Sequence, residues 1–143
     1  MKFKDYIKVN WTKPDFKDEA GEYFENEPTK DYLKSKDIEF KTEKELFDFL
    51  QKGKMTQISA KELSKNYENL SLTDAEFKDD MKDPAYAKSY NSMEKELEDR
   101  GTITLPSPII LKVGTTATYY GFAGNRRINF AINNNLPLTV WLR

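Results

Sequence analysis

Neither cysteine nor histidine occurs among the 143 residues. Without cysteine there is no disulfide, no thiolate metal site and no cysteine nucleophile. Without histidine there is no imidazole base, no Ser-His-Asp triad and no His-ligated zinc. Catalysis, if any, falls to carboxylates, lysine, tyrosine or a bound divalent ion. No apolar run approaches the roughly 18 residues of a membrane span. The charged stretch Met1 to Lys8 lacks the pattern of a signal peptide. A cytoplasmic protein without a membrane partner is expected, in the host cytoplasm if virus-encoded. The Lys/Asn/Glu richness is compatible with an AT-rich genome.

Acids are also missing from one whole region. Gly101 to Arg143 contains no Asp or Glu but holds Lys112, Arg126, Arg127 and Arg143. That stretch carries +4, which leaves −5 on the first hundred residues of a chain with net charge −1. Such asymmetry suggests an anionic ligand for the basic part, although a short apolar segment can simply hold few acids. The apolar fraction is 38% and the charged fraction 33%, a modest core under a polar surface. No basic helix or helix-turn-helix pattern is visible, so DNA sequence recognition is not expected.

Residues 1–36 mix charges with the aromatics Phe3, Tyr6, Trp11, Phe16, Tyr23, Phe24 and Tyr32, interrupted by Pro14 and Pro28. No period persists, which predicts an extended N-terminal arm laying aromatic anchors on its own domain or on a protein partner. Residues 37–143 read as one α/β domain. Alternation at Ile38 and Phe40 predicts a short edge strand. Thr42-Glu43-Lys44-Glu45 has the pattern of a capping box ahead of a helix ending at Gly53. Met55 to Ile58 reads as a strand, and Ser59-Ala60-Lys61-Glu62 opens a short helix. Residues 66–84 read as loop-rich, with Thr73 as a possible helix start. Pro84 begins a helix whose stripe Tyr86, Tyr90, Met93, Leu97 faces the core and which ends at Gly101. Ile109 to Val113 reads as a buried strand, paired as a hairpin with Ala117 to Phe122. Asn125 to Asn134 reads as a helix with Ile128, Ala131 and Ile132 inward, and Leu138 to Leu142 as a final strand.

The motif with chemical content is Gly124-Asn125-Arg126-Arg127, where a strand hands over to a helix. Glycine permits a tight turn and close ligand approach. A helix start offers unpaired N–H groups and partial positive charge. Arginines supply forked donors that match phosphate. Arginines in a first turn oppose the helix dipole by up to about 1 kcal/mol, and a bound anion relieves that cost. The competing expectation is that one arginine pairs with Glu94 or Glu98 of the preceding helix.

The run Pro108 to Leu111, Tyr119-Tyr120-Gly121-Phe122-Ala123-Gly124-Asn125-Arg126-Arg127, Ala131, and Leu136 to Val140 resembles the ParB/sulfiredoxin superfamily. Ile58 to Leu63 and Met93 to Gly101 resemble its earlier segments, so the likeness spans about residues 55–143. It implies an α+β fold, a small mixed sheet with packed helices, here with an N-terminal extension. It also implies a nucleotide-phosphate or nucleic-acid-phosphate site at Gly124, Asn125, Arg126 and Arg127, with a nucleoside triphosphate and Mg²⁺ as the ligand to expect. Family members include CTP-binding partition proteins, sulfiredoxins, a free-serine kinase and ParB-like nucleases, many from phages. The chain lacks the cysteine that sulfiredoxin reductase chemistry needs. Partition proteins usually carry Glu where Asn125 stands, and a helix-turn-helix follows their domain, whereas this chain ends at Arg143. Three readings result: a nucleotide-binding domain; a metal-dependent nuclease or phosphotransferase, with Glu94 and Glu98 (less so Asp99 and Glu62) as candidate catalytic acids; and an interaction protein using residues 1–36.

Overall fold

The computed structural model describes residues 8–143. The part of the expected arm formed by residues 1–7, with Phe3 and Tyr6, lies outside them. Five strands form a mixed sheet: β2 (Lys54–Gln57), β3 (Tyr67–Glu68), β5 (Ile109–Val113), β6 (Thr118–Ala123) and β7 (Thr139–Leu142), in the order β2-β7-β5-β6-β3. β5 and β6 make the antiparallel hairpin that the turn at Gly114 predicts, with a register shift between Ile109 and Ile110. β7 lies parallel to β5 and antiparallel to β2.

β5 is covered on both faces, which is why its sequence runs apolar without alternation. Ile109, Leu111 and Val113 pack with Tyr120, Phe122 and Trp141 on one side, while Ile110 joins Ile128, Ala131 and Val140 on the other. The period of two along a strand assigns these residues to opposite faces. The first face is roofed by α1 (Phe16–Glu19), α2 (Gly21–Phe24), α3 (Glu27–Ser35) and α4 (Glu43–Gln51), through Phe16, Tyr23, Leu33, Leu46 and Leu50. The second is covered by α5 (Ala60–Leu63) and α8 (Asn125–Asn133). Outside α8 lies α7 (Pro84–Arg100), packed with β4 (Thr102–Pro106) around Tyr90, Leu97, Ile103 and Phe130. β4 pairs in parallel with β1 (Lys8–Thr12) as a separate two-stranded ribbon. The remaining helix, α6 (Asp74–Asp80), begins with a full capping box between Thr73 and Glu76.

Two expectations need correction. Residues 8–36 are not an extended arm: they form β1, α1, α2 and α3. Phe16, Ala20, Tyr23 and Leu33 are buried in the same cluster as the sheet, and Tyr120 Oη donates to Thr29 Oγ1 at 3.2 Å. The lack of visible period has a simple cause: α1 and α2 are four residues each, too short to display one. The second correction concerns Ile38 and Phe40, which lie in no strand. The Phe40 N–H donates to Tyr23 Oη at 2.9 Å, and its ring packs edge-on to Tyr23 at 5.2 Å. A side-chain acceptor replaces the ladder partner. Conversely, β4 is not among the elements expected from sequence, although its alternating burial is the pattern a half-buried strand shows. No helix among the described residues is long and apolar enough to cross a membrane.

Candidate phosphate-binding turn

β6 hands over to α8 through Gly124, whose φ is +95°. L-residues avoid this left-handed region. The space is also closed to a side chain: a Cβ would stand 2.8 Å from Pro108 Cα and 2.7 Å from Arg127 Nη2. Gly121, three residues earlier, is required by close approach alone, since a Cβ there would lie 2.5 Å from the Asn69 carbonyl oxygen. The segment around Asn69 therefore presses onto β6, fixed by Asn69 Nδ2 donating to the Gly121 carbonyl at 2.6 Å.

α8 starts without a capping side chain. The longer helices α3, α4, α6 and α7 are each capped, by Asn26, Thr42, Thr73 and Asp83. The first N–H groups of α8 therefore keep their donor capacity and the positive end of the helix dipole. Contacts with α7 set the helix in place. Asn129, buried, donates to Tyr86 Oη at 3.3 Å and to the Asn125 carbonyl at 3.3 Å. Asn133 donates to Tyr90 Oη at 2.9 Å, and Asn134 donates to Glu94 Oε1 at 3.1 Å. Residues four apart on α7 thus meet polar residues on α8, a polar seam that a purely apolar reading of the two helix faces misses.

The two arginines divide their roles. Arg127 is held: Nη1 donates to the Pro106 carbonyl at 2.9 Å, and Nη2 pairs with Glu19 Oε1 at 2.9 Å. The side chains are 14% and 15% exposed, respectively. An arginine of the turn does pair with a carboxylate, but the acid is Glu19 at the end of α1, not Glu94 or Glu98. Arg126 is exposed and has no ion-pair partner among the described residues. Asn125 is committed to the scaffold. Its Oδ1 accepts from the Ser71 N–H at 3.0 Å, and its Nδ2 donates to Asp80 Oδ2 at 3.2 Å.

Around the turn lies a cleft of about 550 Å³, walled by Glu19, Glu22, Ser71, Asp80, Tyr86 and Arg126. Glu22 on α2 is exposed to solvent, yet the protein around it desolvates its carboxyl enough to raise its pKa, helped by the neighbouring Glu19 charge and opposed by Arg126 and Arg127. Burial also raises the Tyr86 phenol, against the effects of Asn129 and Arg126.

The catalytic acids expected from sequence are elsewhere. Glu94 is bonded near the C-terminal end of α8, about 13 Å along the helix from the turn at 1.5 Å per residue. Glu98 is exposed one turn further along α7. Asp99 pairs with Lys95 at 2.9 Å. Glu62 pairs with Lys65 at 2.8 Å and accepts from Tyr119 Oη. The acids that do reach the turn are Glu19, Glu22 and Asp80. Their only trace in the sequence is indirect, because a region without acids must draw its counter-charges from the first hundred residues. No group of three or more acids placed to hold a metal ion occurs among the described residues.

No protein-family model, curated protein or solved structure matches this chain.

Proposed function

We propose that the chain is a ParB-like domain of the ParB/sulfiredoxin type that binds the phosphate of a nucleotide at the Gly124–Arg127 turn. The observation carrying this reading is the uncapped start of α8, open to the cleft beside exposed Arg126. The order β5, β6, Gly turn, α8, β7 agrees with the motif order on which the resemblance rests. In this reading the backbone N–H groups at the start of α8 cradle the phosphate. Gly124 permits the approach, and the Arg126 guanidinium neutralises charge. Arg127 also lines the cleft, its fork taken up by the Pro106 carbonyl and Glu19.

Charge argues for a magnesium-bound nucleotide. Glu19, Glu22 and Asp80 outnumber Arg126 and Arg127 in the cleft, so a bare triphosphate meets net repulsion. A nuclease or phosphotransferase has weaker support, because Glu94 and Glu98 lie away from the turn. The interaction-protein reading loses its anchors Phe16 and Tyr23, which are buried in the protein's own core.

The test is thermal unfolding of the wild type and Arg126→Ala with each ribonucleoside triphosphate, with and without Mg²⁺. One nucleotide with Mg²⁺ at 100 times Kd adds about 2.7 kcal/mol of stability, or roughly 5–10 °C for a chain of this size, and Arg126→Ala abolishes the rise. A wild type that responds to none of the four rejects the proposal.

A further inference from the structure

We infer that the Glu19 carboxylate is a built-in competitor of the ligand phosphate for Arg127. The inference rests on the phosphate reading above and concerns how that site is regulated. Helices with a basic first turn normally gain from a nearby anion. α8 has no acid in its first turn; an acid from 108 residues earlier in the chain stands beside it instead. The Arg127 guanidinium curls back over its own turn, with Nη2 lying 2.7 Å from the position a Cβ on Gly124 would take. Glu19 bonds that same nitrogen, so its carboxylate sits beside the turn where the phosphate is proposed to bind.

Holding Arg127 in place does not require Glu19. Nη1 is anchored independently to the Pro106 carbonyl, and the head group packs against Gly124. Glu19 therefore occupies one tine of a fork that the backbone already positions. Its own backbone is fixed, because Phe16 on the same helix and the next residue, Ala20, are buried. A carboxylate held there excludes weak monoanions. A phosphate with two charges and three acceptor oxygens makes the stronger charge-assisted bond and turns the Glu19 side chain toward solvent. The site thus discriminates against carboxylate-sized ligands without an additional residue.

Binding of inorganic phosphate and of the four ribonucleoside triphosphates with Mg²⁺ is measured by calorimetry on wild type, Glu19→Gln, Glu19→Asp and Glu22→Gln. Glu19→Gln keeps the side-chain shape, removes the charge, and is expected to bind about tenfold more tightly, the worth of one charge-assisted hydrogen bond. Glu19→Asp withdraws the carboxylate by one methylene and is expected to tighten binding by less; it carries the test if the glutamine variant does not fold. Glu22→Gln removes the same charge from the same cleft and is expected to give a clearly smaller gain. Equal gains from Glu19→Gln and Glu22→Gln mean general repulsion and overturn the inference. Binding by wild type with no gain in Glu19→Gln overturns it while leaving the phosphate site standing. Binding by Glu19→Gln alone supports it, and binding by no variant rejects both readings.

Discussion

The indole nitrogen of Trp141 donates to the carbonyl of Leu50 at 2.7 Å, tying the last strand of the sheet to the final turn of α4. Helix ends leave carbonyls short of intrahelical partners, and this one accepts from the Gly53 N–H at 3.0 Å as well as from a side chain 91 residues away. Gly53 completes the joint, because a Cβ there would stand 2.5 Å from the indole nitrogen and 2.9 Å from the Leu142 carbonyl oxygen. Trp141→Phe removes one of two donors to this carbonyl, which keeps the Gly53 N–H, and is expected to cost about 0.5–1.5 kcal/mol. Gly53→Ala overfills the joint and is expected to cost a similar ~1–3 kcal/mol. Urea unfolding should show lowered midpoints with unchanged slope.

Gly124→Ala tests the turn. The left-handed conformation alone costs a residue with a Cβ about 1–2 kcal/mol, and the contacts with Pro108 and Arg127 add to it. Both the melting temperature and nucleotide-induced stabilisation should fall. A variant with wild-type stability would show that the turn relaxes without cost.

Arg126 and Arg127 should separate by experiment although they are neighbours in sequence. Arg127→Ala strands the mostly buried Glu19 and frees the Pro106 carbonyl, with an expected loss of about 2–4 kcal/mol. Arg126→Ala removes an exposed side chain, and its stability should stay within about 0.5 kcal/mol of wild type. Ligand response should be lost in Arg126→Ala despite its intact fold.

Glu22 gives a pH signature. Its folded pKa lies above the ordinary carboxylate value of 4.5, chiefly because of desolvation. Between the unfolded and the folded pKa the native state binds the extra proton, so stability contributed by Glu22 falls as pH rises through that window. At neutral pH the charged, partly desolvated carboxylate is a cost. Glu22→Gln should therefore melt higher than wild type at pH 7, and the difference should shrink as pH falls through the window above 4.5 and be gone below it. Melting curves collected from pH 3.5 to 8 check the sign.

Asn125→Asp exchanges the donor Nδ2 for an oxygen facing Asp80 Oδ2, now 3.2 Å from that nitrogen. The bond to the Ser71 N–H survives, but the other contact becomes repulsive. A loss of about 1–2 kcal/mol is expected, measured by urea unfolding, and it should diminish at high salt.

What could be read along the chain was local. Thr42, Ser59 and Thr73 do accept from backbone N–H groups at the starts of α4, α5 and α6, because a cap and its helix are only three residues apart. Gly101 ends α7 in the left-handed conformation, and the β5–β6 hairpin and α8 follow from runs of similar residues. The mixed α+β character and the position of the glycine turn were therefore determined by sequence alone.

Tertiary structure decided what surrounds that turn. Glu19 meets Arg127 across 108 residues, Asp80 meets Asn125 across 45, and α1 and α2 join the core through Phe16 and Tyr23. Hydrophobic periodicity reports which way a side chain faces but not which distant segment covers it. With acids so frequent before residue 100, composition could not say which of them would reach the basic turn. Which arginine stays free was likewise settled by packing: Pro106 and Glu19 take up the Arg127 fork, while Arg126, one residue earlier and about 100° around the helix, is left facing solvent.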